Sequence, residues 1–317
     1  MASHKIMHPD TTIPWIDMQL FMSGTPQQKI ETGMAFGNAM RELGFVAVSN
    51  IGLSKKTIDD AYAMSEYFFE KPDDFKMQTR APEGHHGFLP FGTEHAKYTD
   101  ILDLKEFFQT TGSTHPENLW PAIPGFREAI TALYVELENC MKACLQAIAI
   151  SLGYTAEKEQ TILSDMLGTG NGLMRLLHYP PVGPLKSPLG AVRSAAHEDL
   201  SMMTVIPRAT ASGLQVLTRH QEWLDVVVPD NAAIINAADT LQYITNGFIP
   251  STTHRVVNPP VHDHSHRYSI PFFASLPFAT PLRVLEKCKG NTPPENLPKE
   301  ITFGEFLTQR YQAIGLK

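Results

Sequence analysis

Apolar positions recur at helical spacing in a few long stretches of the chain and in short, strand-length runs over most of its second half. Between Pro26 and Leu43, the residues Ile30, Met34, Phe36, Met40 and Leu43 mark one helical face, and Gly44 stands where a C-cap glycine ends a helix. "FVAVSNIG" follows as a short strand with a turn. The spacing predicts a second helix from about Lys56 to Glu70, stopped before Pro72. The clearest helix runs from about Phe126 to Leu152. There Phe126, Ile130, Leu133, Leu137, Met141, Cys144, Ile148 and Leu152 step by three or four and form a single apolar stripe.

After Asn171 the pattern changes. The runs "LMRLLHY", "MMTVI", "GLQVLT", "EWLDVVV", "AAIINA", "HRVVN", "RYSIPFFAS" and "LRVLE" are separated by turns and partly β-branched or aromatic. Eight or so such strands with short connections predict a barrel or double-sheet jelly roll. The closing stretch "ITFGEFLTQRYQAIGLK" reads as helical, and "EGHHGFLPFGTEHAKYTD" as a loop or irregular strand. Helices first and a β core second make an α+β protein. We expect an N-terminal supporting region over 1–120 and a core over 121–317 that includes the long helix, the two forming one compact unit.

Composition narrows the function. With 43% hydrophobic and 19% charged residues the chain is ordinary for a globular protein. A net charge of −7 and the lack of a long basic run argue against nucleic acid as a partner. The start, "MASHKIMHPDTTIPW", lacks the apolar stretch of a signal peptide, and no segment is apolar for about 20 residues, so no membrane span is expected. Cys140, Cys144 and Cys288 have no framework spacing and are expected as reduced thiols. A reducing cytoplasm fits them, and it would keep iron ferrous.

The candidate chemistry lies in "AAHEDLSMMTVIP" and "PSTTHRVVNPP". Strand alternation puts His197 and Asp199 on one side and Glu198 on the other. His254 opens another apparent strand 55 positions after Asp199 (254 − 199). Two imidazoles and one carboxylate on one face of a metal leave the opposite face open, an arrangement suited to Fe(II) that also binds a cosubstrate and O2. H-x-D alone is weak in a chain with 13 histidines, and His262, His264 and His266 offer a rival cluster, read here as a solvated loop. No H-E-x-x-H helix is present, which argues against a zinc protease. Arg267 and Ser269, at alternate positions before the apolar "IPFF", can grip a carboxylate through the arginine fork and one hydroxyl, with Tyr179 as a further donor.

Beyond these residues the sequence resembles the isopenicillin N synthase-like Fe(II)/2-oxoglutarate oxygenases. "TIPWIDM", "ELGFVAVSNIGL", "SEYFFEKPDDFK", "GFLPFGTEHAK", "DLKEFFQ", "NLWPAIPGFREAI", "HEDLSMMTVIP", "GLQVLTRHQEWLDV", "STTHRVVNPP" and "RYSIPFF" match in order over nearly the whole chain. The resemblance implies a distorted double-stranded β-helix with N-terminal helical support and a C-terminal helix. It implies His197, Asp199 and His254 as iron ligands, and Arg267, Ser269 and Tyr179 as binders of the 2-oxoglutarate distal carboxylate. Two positions depart from the pattern. Leu177 stands where plant-type members often carry asparagine, and "NAAD" at 236–239 replaces a more usual N-x-G-D.

The implied activity is hydroxylation of an unactivated C–H, with Fe(II), 2-oxoglutarate and O2 consumed toward succinate and CO2. A related oxidase that cyclises or desaturates without 2-oxoglutarate is the alternative, and a non-catalytic metal-binding jelly roll a further one. Phe88, Phe91, Thr93, Lys105, Phe107, Arg175 and Phe273 are candidate substrate contacts. If Lys105 or Arg175 faces the iron, an acidic small molecule such as an amino acid, a small peptide or another carboxylated metabolite is favoured.

Overall fold

The computed structural model describes residues 12–80, 86–95, 101–112, 115–181, 190–260, 262–290 and 292–313. The chain opens with β1 (Trp15–Asp17), α1 (Gln19–Ser23) and α2 (Pro26–Leu43). Thr25 caps α2 reciprocally: its hydroxyl accepts the Gln28 N–H, and the Gln28 side chain accepts the Thr25 N–H. At the other end Gly44 takes φ 73, the left-handed conformation that releases the chain into β2 (Phe45–Ser49). Then come α3 (Lys55–Phe69), α4 (Asp73–Met77), β3 (Gly87–Leu89), β4 (Glu106–Thr110) and α5 (Phe126–Ser151). All three long helices lie within a residue of the spans their apolar spacing predicts.

The second half supplies β5 (Leu173–Tyr179), β6 (Ser194–His197), β7 (Met203–Ile206), β8 (Leu214–Leu217), β9 (Trp223–Asp225) and β10 (Ala233–Ala237). After α6 (Asp239–Ile244) follow β11 (His254–Val256), β12 (Arg267–Ser269), β13 (Phe272–Phe273), β14 (Pro281–Leu282), β15 (Ile301–Thr302) and α7 (Phe303–Ala313). The run "LRVLE" departs from its expected strand: only Leu282 pairs, and Glu286–Cys288 is a 3-10 turn. The last four residues of the predicted C-terminal helix lie outside the described residues, as do residues 83–85 and 96–100 of the predicted loop.

Two sheets hold most of the strands. The larger has the order β1-β2-β10-β7-β13-β5-β4-β3, with β12 also on β5; the smaller has the order β6-β11-β8-β9. Strand alternation divides the larger sheet's side chains between two cores. Phe45, Ala47, Leu177, Tyr179 and Ile234 pack with Leu214, Val216 and Val256 of the smaller sheet. Val46, Val48, Met174, Leu176 and Ile235 join the α5 stripe of Ile130, Leu133, Leu137, Met141 and Ile148. The result is a double-sheet jelly roll backed by helices. Gly37 sets how closely α2 crosses α5, because a Cβ there would sit 1.9 Å from Ser151 Oγ. Cys140 and Cys144 are buried free thiols on α5, and burial raises Cys144 well above its ordinary range. Among the described residues, no helix is long and apolar enough to cross a membrane.

Candidate metal centre and its cleft

Strands β6 and β11 are antiparallel neighbours, and His197 lies directly opposite His254 in their register. The two rings stand 4.4 Å apart between centroids at 52°. They meet because their strands are adjacent in one sheet. Asp199 differs from expectation: β6 ends at His197, so the aspartate sits in the turn beyond it. Its backbone carbonyl accepts the Asp239 N–H at 2.9 Å, tying that turn to the start of α6. There its Oδ1 lies 3.8 Å from Nε2 of both histidines.

Each donor is turned inward by a partner on its far side. His197 Nδ1 donates to the Ala195 carbonyl at 2.7 Å and His254 Nδ1 to the Thr252 carbonyl at 3.1 Å, because a carbonyl can only accept. Both Nε2 lone pairs are therefore left for the centre. Asp199 Oδ2 accepts from Thr204 Oγ1 at 2.6 Å and Asn236 Nδ2 at 2.9 Å, leaving Oδ1. Burial and the neighbouring His254 push His197 down to about 4, which keeps its imidazole neutral. Burial works to raise Asp199, but His254, His197 and the two hydrogen bonds outweigh it and hold the carboxyl below its ordinary value. Two neutral imidazoles and a carboxylate are the donor set a facial Fe(II) site requires. Cis ligands about 2.1 Å from a common ion lie about 3 Å apart, so the observed 3.8 Å separations need to close by less than about 1 Å.

The three donors line a cleft that is open to solvent at its mouth. Its walls include Ile206, Leu214 and Val256 together with Tyr179, Arg267 and Ser269. Arg267 pairs with Tyr179 and Ser269 with Leu177 across β12 and β5. The guanidinium of Arg267 is 2% exposed and sits 5.0 Å from the Tyr179 ring. Its Nε donates to the Ala211 carbonyl at 3.1 Å, but among the described residues it forms no ion pair. A second buried guanidinium, Arg193, donates to the Ser265 carbonyl; burial and the charge of Arg267 lower it from its ordinary value. A buried cation without a carboxylate is costly, and Arg267 opens onto the cleft.

The other predicted contacts divide. Lys105, Arg175 and Phe273 line the cleft. Phe107 lies behind it, buried under the Arg175 guanidinium at 4.6 Å. Phe88 does not reach the cleft: it alternates to the helix side of the larger sheet and packs on Phe68. Phe91 is 52% exposed, and the Thr93 hydroxyl turns back to the Pro90 carbonyl. Nor are the two cations bare. Lys105 Nζ is 2.8 Å from Asp103 and 3.2 Å from Glu94, and Arg175 takes both Glu94 oxygens at 3.2 and 3.3 Å. Burial opposes ionisation of Glu94, but Arg175 and Lys105 outweigh it and bring the carboxyl to about 2. Asp103 also accepts the Ala195 N–H at 2.9 Å, which joins this ion cluster to the strand carrying His197.

Sequence reasoning missed Thr204, Asn236, Glu94 and Asp103. Asn236 had a signal: a polar residue within the apolar "AAIINA" needs a partner when buried. Ala238, in the same "NAAD", takes φ −128, extended backbone that needs no glycine. Of the rival histidines, His262 and His264 are exposed, and His266 hydrogen-bonds His178 at 2.8 Å.

Comparison with known proteins gives consistent matches. The N-terminal domain of the non-haem dioxygenases in morphine synthesis matches residues 13–123, and the 2OG-Fe(II) oxygenase superfamily matches residues 170–275. Isopenicillin N synthase of Penicillium chrysogenum is 26% identical over 94% of this chain and 95% of its own. A 2OG-Fe(II) oxygenase family protein from Caulobacter crescentus has a similar structure, with TM-score 0.84 and 33% identity over 96% of this chain and all of that one. A full-length Neurospora crassa protein, solved in complex with alpha-KG, superposes with TM-score 0.85 and 27% identity over 99% of both chains.

Proposed function

This chain belongs to the 2OG-Fe(II) oxygenase superfamily, non-haem dioxygenases that use Fe(II), 2-oxoglutarate and O2, and on that premise we propose that it hydroxylates a C–H bond of a small molecule, with succinate and CO2 as coproducts. In this reading His197, Asp199 and His254 hold the iron. Ala195 and Thr252 carbonyls fix the imidazole tautomers, and Thr204 and Asn236 keep Asp199 a carboxylate with one oxygen turned inward. When bound, Fe(II) supplies the activation of O2 that side chains cannot perform. Arg267 grips the distal carboxylate of 2-oxoglutarate, with the Ser269 and Tyr179 hydroxyls on the same wall. Ile206, Leu214 and Val256 make one wall of the cleft apolar, which limits water on that side of the centre.

The observation that carries this reading is the pairing, in one cleft, of three inward-turned donors with a buried guanidinium that has no carboxylate partner among the described residues. The cleft's other cations bear on the substrate. Lys105 and Arg175 are already neutralised by Asp103 and Glu94, so they give no open berth for an anion. We therefore favour a substrate that is uncharged at that end over the acidic one that Lys105 and Arg175 suggest in the sequence. The test is anaerobic absorption spectroscopy of the Fe(II)-loaded protein. A visible charge-transfer band that forms on adding 2-oxoglutarate, and is lost in His197→Ala, is the expected result; an unchanged spectrum refutes the assignment.

A further inference from the structure

Arg193 stands immediately before β6, the strand that carries the first metal donor. Its side chain is 1% exposed. Nη2 donates to the Ser265 carbonyl at 2.9 Å, and Nε is buried with no acceptor among the described residues. The charge of Asp263 reaches it, but the two form no ion pair, and Asp263 Oδ1 accepts the Ser265 N–H at 2.8 Å. A buried guanidinium held by one carbonyl is costly to the fold.

The bond that Arg193 makes crosses between the two sheets. β6 ends the order of the smaller sheet and pairs with β11, whereas β12 pairs with β5 in the larger sheet. Ser265 lies just ahead of Arg267, the first residue of β12. Arg193 therefore ties the strand of His197 to the strand of Arg267. Its neighbour Ser194 lines the cleft, and Arg193 stands outside that lining. Arg267 acts on it as a like charge, and Tyr179 lies within reach of both guanidiniums. Two buried cations, each bonded to a backbone carbonyl and to no carboxylate among the described residues, repel one another. A carboxylate bound at Arg267 cancels that repulsion and attracts Arg193 as well.

We propose that Arg193 is a positioning residue for the cosubstrate, a second cation beyond Arg267 that draws the distal carboxylate of 2-oxoglutarate into the clamp. This role presupposes that Arg267 is that clamp. Arg193 acts through its charge and through Ser265, not by touching the cosubstrate. The role has a sign that a purely structural arginine would not show. With the clamp empty, Arg193 is a buried cation beside a like charge, so its removal offsets the lost Ser265 bond. With the clamp filled, the same cation faces a carboxylate, so its removal weakens binding.

The experiment titrates 2-oxoglutarate into the anaerobic Fe(II) protein, read by the visible charge-transfer band, beside denaturant unfolding of the metal-free, ligand-free protein. Arg193→Met is expected to unfold at the wild-type denaturant midpoint or above it, to keep its Fe(II) binding, and to raise the 2-oxoglutarate Kd about tenfold. Arg193→Lys, which keeps the charge, is expected to return the Kd to within about threefold of wild type. An Arg193→Met protein with the wild-type Kd overturns the proposal, as does an Arg193→Lys protein that binds no better than Arg193→Met. A denaturant midpoint that falls together with Fe(II) binding in Arg193→Met also overturns it, since that is how a structural tie behaves. A wild-type protein that forms no band with 2-oxoglutarate refutes the clamp itself, and the role of Arg193 with it.

Discussion

Replacing Arg267 with methionine separates the two roles its burial could serve. Were the guanidinium a structural ion pair, breaking it would cost about 3–5 kcal/mol of stability. It has no carboxylate partner among the described residues, and its one protein acceptor is the Ala211 carbonyl. Losing that bond costs about 1 kcal/mol, and removing a buried charge offsets the loss. The ligand-free Arg267→Met protein should therefore unfold within about 1 kcal/mol of wild type. Its response to 2-oxoglutarate should collapse. At about 100 times the wild-type Kd, the cosubstrate adds about 2.7 kcal/mol of stability. Charge-assisted bonds worth about 1.5–3 kcal/mol correspond to about ten- to a hundredfold in affinity. The same concentration then stands at about one to ten times the new Kd, and the gain shrinks to about 0.4–1.4 kcal/mol. Denaturant unfolding under anaerobic Fe(II), with and without 2-oxoglutarate, measures both quantities. A variant that keeps the full 2-oxoglutarate gain, or that loses several kcal/mol without ligand, refutes the clamp.

Three further outcomes follow from the same contacts. Asn236→Ala removes one of two donors to Asp199 Oδ2 and should weaken metal binding about ten- to a hundredfold in a Zn(II) or Fe(II) titration, with the Thr204 bond left in place. Glu94, held at about 2 in the fold, stabilises the protein fully above its ordinary value of 4.5, and that contribution fades as pH falls toward 2. The difference in melting temperature between wild type and Glu94→Gln should narrow over that range, and a difference independent of pH would count against the ion cluster. Leu137→Ala, at a fully buried position in the α5 stripe, should cost about 2–5 kcal/mol in denaturant unfolding; a loss well under 1 kcal/mol would mean that α5 does not back the sheet as described.

What the sequence made legible is local or periodic. The α2 boundaries follow from Gly44 and an apolar face, and the exchange of bonds between Thr25 and Gln28 fixes the other end. The strands of the core show in short β-branched and aromatic runs, and Leu177 and Tyr179 face the cleft as alternation dictates. The donors His197, Asp199 and His254 were legible as residue types, but not the reason they meet: Asp199 reaches the centre from a turn that is placed by a bond to Asp239. The Ala195 and Thr252 carbonyls leave no mark in the sequence, because every residue has one. The neutral balance around Lys105 and Arg175 was equally hidden, since Glu94 and Asp103 arrive from chain segments whose pairing only the fold sets. Phe88 misled because neighbouring positions of a β-strand face opposite cores.

The direct opposition of His197 and His254 makes their spacing a property of the ladder and not of the intervening loops. Two paired strands fix the spacing of these imidazoles, so the loops that join the intervening strands can change in length without moving either ring, provided that Asp199, Thr204 and Asn236 keep their places. Insertions or deletions in those loops would reshape the rim of the cleft and leave the three donors where they are.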